Sequence, residues 1–267
     1  MILAIDIGGT KTLLGLFETN GELTKSFKFE TPGSYSDFIA ELENEIPKFV
    51  GSVELEHCVV AVPGKLDREN GVGIAFGNLA WVNVPIGPDI SAIVSLEVRI
   101  ENDAKLAGLS EALLLPEFHK ALYITVSTGI SSAYVVGGRL DENMINAEPG
   151  HMMLEHEGKL QTWESFASGK AITKKYGMRV ADITDETAWY GIARNIAIGL
   201  INVIATTTPE VVILGGGVGS HLLKFKDRLE EELTIYQTNV VDIPPIRQAQ
   251  RPEEAVIYGC YALASQV

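Results

Sequence analysis

The first seventeen residues constrain the fold more than any other stretch. They read Met-Ile-Leu-Ala-Ile-Asp-Ile-Gly-Gly-Thr-Lys-Thr-Leu-Leu-Gly-Leu-Phe. An apolar run reaches Asp6, a small polar turn follows at Gly8, Gly9, Thr10, Lys11 and Thr12, and a second apolar run leaves it. That order predicts a buried strand, a tight turn and a returning strand. Paired glycines let a backbone approach a ligand closely. Successive N–H groups in such a turn form a concavity for anions, to which Thr10 adds a hydroxyl and Lys11 a charge. Asp6, at the strand tip, is placed to face a metal ion bound to the same anion. The same residues also suit a plain Gly-Gly hairpin, so both readings stand at this point.

The pattern returns at Ile124-Thr-Val-Ser-Thr-Gly-Ile-Ser-Ser-Ala-Tyr-Val-Val136. Laid over residues 5–17, the turns coincide, with Thr128 and Gly129 in place of Gly9 and Thr10. The echo is short, but it predicts two halves built alike. Between the hairpins the expected order is a third strand over residues 22–31 and a helix from Ser34 or Ser36 stopping near Pro47. A strand over 57–62, a hairpin around Glu69, Asn70 and Gly71, a helix over 86–94 and a strand over 98–101 follow. A helix then starts at Asp103 and ends near Pro116, which points to a mixed α/β sheet. The second half continues with a hairpin near 137–142, a loop holding Glu148 and His151, and helices from Trp163 and over 185–206. A strand over 211–214, a glycine loop over 215–219, a helix around 222–233 and an apolar helix over 253–264 complete it.

Composition narrows the function. At 46% hydrophobic residues the chain is globular, and 267 residues bury a large core. A formal net charge of −14 argues against non-specific nucleic-acid binding, though not against a nucleotide held by backbone N–H groups. Two cysteines, Cys58 and Cys260, build neither a disulfide framework nor a four-thiolate zinc site, so a reducing cytoplasm is the simplest compartment. The opening run contains Asp6 and lacks a basic leader, which predicts a strand and not a signal peptide. No other run is expected to be long and uncharged enough to cross a membrane.

Three further places carry chemistry. Asn102-Asp103 lies between a strand end and a helix start, where Asp103 is either a general base for phosphoryl transfer or an N-cap, and one residue serves both. Glu148-Pro-Gly-His151 sets a carboxylate and an imidazole on one loop. That fits half of a metal site, a polyol site or an exposed polar loop, and no cysteine follows before Glu164 to complete a metal set. Val211-Val-Ile-Leu-Gly-Gly-Gly-Val-Gly219 lacks the Lys-Ser or Lys-Thr of a Walker loop. It suits either close passage of a ring over bare backbone or a plain strand-to-helix turn.

Taken in order, Asp6-Ile-Gly-Gly-Thr-Lys11, Glu101-Asn-Asp-Ala104, Glu148-Pro-Gly-His151 and Pro209-Glu-Val-Val-Ile-Leu-Gly-Gly-Gly-Val218 resemble the ROK family of sugar kinases and repressors, over nearly the whole chain. The resemblance implies an α/β, actin-like ATPase (ribonuclease-H-like) fold of two lobes around a cleft holding ATP and a hexose. The small lobe would be 1–106, completed by the C-terminal helix 252–267, and the large lobe 107–251. Asp6 would direct Mg²⁺. Gly8, Gly9, Thr10, Lys11, Thr128 and Gly129 would hold phosphates, and Gly216 and Gly217 would border the adenosine. Asp103 would be the base, while Gly64, Asn78, Asn102, Asp103, Glu148, His151 and Glu164 would meet the sugar.

The likeness implies a glucokinase-like enzyme acting on a small sugar and a nucleotide, with a homodimer reasonable and no nucleic acid or membrane as partner. A chain starting directly at the first strand, without a helix-turn-helix, speaks against a repressor. Two departures stand out. The family's Cys-x-Cys-Gly-x-x-Gly-Cys zinc block is replaced by Met-Met-Leu-Glu-His-Glu-Gly-Lys-Leu-Gln-Thr-Trp, so no structural zinc is expected. Ser127, Ser131, Ser132 and Ala133 stand where the second phosphate loop usually has glycines, and serine hydroxyls there would donate to phosphate oxygens. A non-catalytic sugar sensor is the competing class.

Overall fold

Five of the six residues of β1 (Ile2–Ile7) are buried, and Asp6 alone is partly exposed. β2 (Lys11–Phe17) pairs antiparallel with it, from Ile2↔Phe17 to Ile7↔Thr12, and β3 (Leu23–Glu30) pairs with β2. The computed structural model describes residues 1–251 and 253–266. These form two compact units, one of Met1–Ser110 with the residues from Glu254 onward, the other of Glu111–Glu253.

In the first unit, Ser34 caps α1 (Tyr35–Val50) by accepting the Asp37 N–H, and Phe38, Leu42, Ile46 and Phe49 face inward. The helix runs through Pro47 instead of stopping there. A proline φ is helical, Phe49 is buried in the last turn, and Gly51, at φ 66°, ends the helix by donating its N–H to the Pro47 carbonyl. β4 (His57–Val62) lies parallel to β1, while β5 (Lys65–Asp67), β6 (Val72–Ala75) and β7 (Val82–Val84) make a small antiparallel sheet. α2 (Ile86–Val94) leads to β8 (Val98–Asn102), parallel to β4, and α3 (Asp103–Ala112) follows without a loop. Trp81 anchors the segment before β7. Its ring lies 4.8 Å from Phe38 and 5.5 Å from Phe76, and its indole N–H donates to the Gly33 carbonyl.

The second unit repeats the plan. β9 (Lys120–Val126), β10 (Ile130–Val136) and β11 (Arg139–Leu140) form antiparallel neighbours. A 3-10 turn at Pro149–His151 precedes a hairpin of β12 (Met153–His156) and β13 (Lys159–Thr162). Then come α4 (Trp163–Ala167), α5 (Gly169–Tyr176), α6 (Glu186–Thr207), β14 (Val211–Gly215), α7 (Gly216–Gly219), α8 (Lys226–Tyr236) and β15 (Ile246–Gln248). The strand orders are β3-β2-β1-β4-β8 and β11-β10-β9-β14-β15, each with three antiparallel strands followed by parallel ones. The echo between the hairpins is therefore a repeat of the sheet plan, with one difference. Four residues separate the pair Ile7↔Thr12, but three separate Val126↔Ile130.

Several expectations change. Ser131, Ser132 and Ala133 are strand residues of β10 and not part of the turn, and Ser132 and Ala133 are buried. The glycines of 216–219 form the short helix α7 in place of a loop. β12, β13 and β15 were not foreseen. The terminal helix is α9 (Ala255–Ala264), and the ends of the expected span, Pro252 and Val267, lie outside the described residues. α9 belongs to the first unit, where Gly259 packs so closely that a Cβ there would lie 2.1 Å from the Leu106 carbonyl oxygen. Among the described residues one helix, α6, is long and apolar enough to cross a membrane, contrary to expectation, and 61% of that stretch is buried within the protein.

α6 is the spine of the second core. Gly199 gives passage to the fully buried Trp163 ring, whose atoms lie 2.1 Å from where a Cβ would stand. Gly199→Ala is expected to cost about 2 kcal/mol through displacement of that ring, although alanine is the better helix former. Urea unfolding checks it, and an unchanged midpoint refutes it.

Candidate active site

The first hairpin is braced from the end of β3. Gly8 donates its N–H to the Lys11 carbonyl at 3.0 Å, and the Thr31 N–H donates to the Thr10 carbonyl. The Thr31 hydroxyl donates to the Gly8 carbonyl at 2.8 Å and lies 2.9 Å from that of Thr12. A Cβ at Gly9 would stand 2.7 Å from the Asn78 Cβ, so Gly9 is required for Asn78 to lie against the turn. Thr10, Lys11 and Asn78 are exposed, as an anion site needs.

The β8–α3 junction lies in the same unit. Asn102, and not Asp103, caps α3, because its Oδ1 accepts the N–H groups of Ala104 and Lys105 at 3.0 and 3.3 Å. Its Nδ2 donates to the Gly64 carbonyl, which leaves one amide hydrogen of this buried side chain for a ligand. Gly64 has φ 108°, and a Cβ there would lie 2.1 Å from the Ala75 oxygen, so only glycine fits. Asp103 is the first residue of the helix and half-exposed, with Oδ1 accepting the Ala104 N–H at 2.8 Å. The Asp6 carboxyl is pushed up to about 7, first by burial and then by the negative charge of Asp103, against a smaller opposing pull from Lys28. Two mutually repelling carboxylates fit a divalent cation, which would relieve both.

In the second unit, the Ser127 N–H donates to the Gly129 carbonyl. Gly129 makes room for Glu164, whose Oε2 would lie 2.8 Å from a Cβ there and accepts the Ile130 N–H at 3.3 Å. The Ser131 hydroxyl donates to Glu148 Oε2 at 2.9 Å. Glu148 and His151 are exposed, bracketing the 3-10 turn through the His151 N–H to the Glu148 carbonyl. Gly216, at φ 76°, sits with its would-be Cβ 2.6 Å from Thr125 Oγ1, whereas Gly217 faces open space.

The stretch between His151 and Glu164 is the β12–β13 hairpin. The His156 ring stacks 4.1 Å from Phe166, and its Nε2 lies 3.1 Å from Asn195 Oδ1. Asn195 Nδ2 donates to the Phe166 carbonyl and Gln161 Nε2 reaches His156 Nδ1, which together select the Nε2–H tautomer. Among the described residues no group of three or more His, Cys, Asp or Glu side chains is arranged to hold a metal ion. Sequence reasoning gave no role to Thr31 or Arg68, whose partners lie far along the chain, nor to His156, which is met both by nearby Gln161 and by distant Asn195. Only the threonine pair across β2–β3 left a trace, as Thr12 and Thr31 near facing strand ends.

Each unit's three antiparallel and two parallel strands, with a polar hairpin at the head of each sheet, define the actin-like ATPase fold. The model of the ROK family matches residues 2–267, and the chain belongs to that family. Over 98% of its length the chain is 27% identical to the N-acetyl-D-glucosamine kinase of Haemophilus influenzae (strain 86-028NP), of which 99% is covered. A ROK family glucokinase from Streptomyces griseus, solved with glucose and AMPPNP, is similar at a TM-score of 0.82 and 21% identity, with 100% of this chain and 99% of that one covered. A ROK family transcriptional regulator, a homologue of the E. coli MLC protein, reaches 0.87 at 19% identity, covering 99% of this chain and 77% of the regulator.

Proposed function

We propose that this chain is a cytoplasmic, ATP-dependent hexose kinase, glucokinase-like in class, which transfers the γ-phosphoryl group to the sugar 6-hydroxyl. The observation that carries the reading is the pair Asp6 and Asp103, two half-buried carboxylates that repel each other at the heads of β1 and α3. Asp103 accepts the proton of the attacking hydroxyl, which phosphoryl transfer needs more for positioning than for proton affinity. In this reading Gly64, Asn78, Asn102, Asp103, Glu148, His151 and Glu164 are given to the sugar, as acceptors and donors for its hydroxyls. The phosphate-holding role falls to Gly9, Thr10 and Lys11, and to Thr128 and Gly129, and the adenosine-bordering role to Gly216 and Gly217, while Gly8, its N–H taken by the Lys11 carbonyl, shapes the first turn. Mg²⁺, directed by Asp6, neutralises phosphate charge when bound.

A coupled assay across glucose, mannose, fructose and N-acetylhexosamines, with Mg-ATP and with polyphosphate, tests the proposal. Product with one sugar supports it, and ATP hydrolysis without sugar phosphorylation points to another actin-like ATPase. Thr31→Val removes both hydroxyl contacts that brace the first turn. It is expected to raise the KM for ATP several-fold and to cost about 1 kcal/mol, with the sugar KM unchanged. Unaltered ATP kinetics would remove the turn from the nucleotide site.

A non-catalytic sugar sensor is the second reading. The second turn has given its Ile130 N–H to Glu164 and its neighbouring Ser131 hydroxyl to Glu148, leaving fewer donors for phosphate. Sugar binding without ADP formation would favour it. Light scattering reads the expected homodimer.

A further inference from the structure

Arg68 sits in the turn between β5 and β6 and grips Glu101 with both prongs of its guanidinium. Nε donates to Oε2 at 2.8 Å and Nη2 to Oε1 at 2.6 Å. Glu101 is buried, at 5% exposure, and its Oε1 also accepts the Asn102 N–H at 2.6 Å. One carboxylate oxygen therefore joins the hairpin to the peptide that enters α3. The same hairpin makes a second tie where it begins, since the Gly64 carbonyl holds the Asn102 side chain.

A buried carboxylate is tolerated when it is paired and hydrogen-bonded, and this one is, with donors on both oxygens. The planar fork of arginine fixes the direction of the carboxylate as a lysine ammonium does not. That direction sets where the Asn102 N–H must lie, and so the angle at which α3 leaves β8. Asp103 is the next residue.

We infer that Arg68, acting through Glu101, is a positioning residue that sets the aim of the Asp103 carboxylate. The inference rests on Asp103 being the base, and its test reads the junction with and without turnover. Arg68→Ala is expected to lower kcat roughly tenfold or more while the sugar KM stays within about threefold, because misaim affects the transfer step most. Added guanidinium ion should restore part of the lost kcat, since Arg68 is partly open to solvent. Arg68→Lys, with charge but no fork, should recover less than full activity. Amide exchange measured by NMR should quicken about tenfold at residues 102–105 in Arg68→Ala and stay unchanged in β1 and β4.

Unchanged exchange at residues 102–105 overturns the inference, as does an unchanged kcat in an active enzyme. Should Arg68→Ala fail to fold, Arg68→Met with Glu101→Gln removes the stranded charge, and the same loss of kcat and faster exchange are expected. Wild-type values of both in the double variant overturn the inference. If the wild type phosphorylates no sugar, the kinase reading fails by itself, and the exchange measurement still decides whether Arg68 holds the junction.

Discussion

Asp103→Asn is expected to lower kcat by roughly 10²-fold or more while sugar affinity, measured by calorimetry, stays close to wild type. The substitution is mild in structure. Asn102 remains the cap of α3, and an asparagine at 103 still offers an Oδ1 to the Ala104 N–H. What disappears is the capacity to take a proton and a negative charge beside Asp6. The second consequence is electrostatic. Asp103 is one of the two causes that push the Asp6 carboxyl up to about 7, so its removal should bring that carboxyl down toward the ordinary range. A carboxyl-detected NMR titration reads this independently of turnover. Near-normal kcat removes Asp103 as the base, and an unmoved Asp6 titration shows that the two carboxylates do not sense each other.

Local pattern carried much of the fold into the sequence. The opening hairpin was legible because apolar runs flank a turn that only small residues fill, and its echo at 124–136 announced the repeated sheet plan. Spacing alone could not show that the second turn is one residue shorter in register, nor that Ser131 and Ser132 belong to a strand. The β12–β13 hairpin was missed because its turn, Glu157-Gly158, places a glutamate at φ 52°, where asparagine or aspartate is the usual signal. Pro47 misled for the opposite reason, since a proline in a last turn removes one hydrogen bond while Phe49 packs below it. In the candidate site, the strand-to-helix junction at Asn102 and Asp103 was legible, but which of the two caps α3 was not. Both are good caps, and the choice depends on Gly64, thirty-eight residues earlier in the chain. The Arg68–Glu101 grip spans thirty-three residues and leaves no local pattern.

Asp6→Asn is expected to make the protein more stable at pH 8 and close to inactive. Burial first and the charge of Asp103 second push the Asp6 carboxyl of the native state from an ordinary 3.8 up to about 7. In the unfolded chain it ionises near 4. Between those values the native state holds a proton that the unfolded state has lost, so stability falls as pH rises through this window. The contribution is whole below about pH 4 and gone above about pH 7, and a shift of this size is worth on the order of 4 kcal/mol. Asparagine is neutral throughout and keeps the contribution at every pH. Urea unfolding at pH 4 and pH 8 should therefore find wild type and variant alike at the lower pH and the variant more stable at the higher.

Activity should move the other way, by roughly 10²-fold or more, because the carboxylate proposed to direct the cation is gone. The same charge accounts for both effects. Thermal shifts separate them, since Mg-AMPPNP should stabilise the wild type beyond AMPPNP alone and the variant no more than AMPPNP alone. Equal stability of the two proteins at pH 8 would show that Asp6 is solvated after all. A magnesium-dependent shift that survives in Asp6→Asn would overturn the metal-directing role proposed for Asp6.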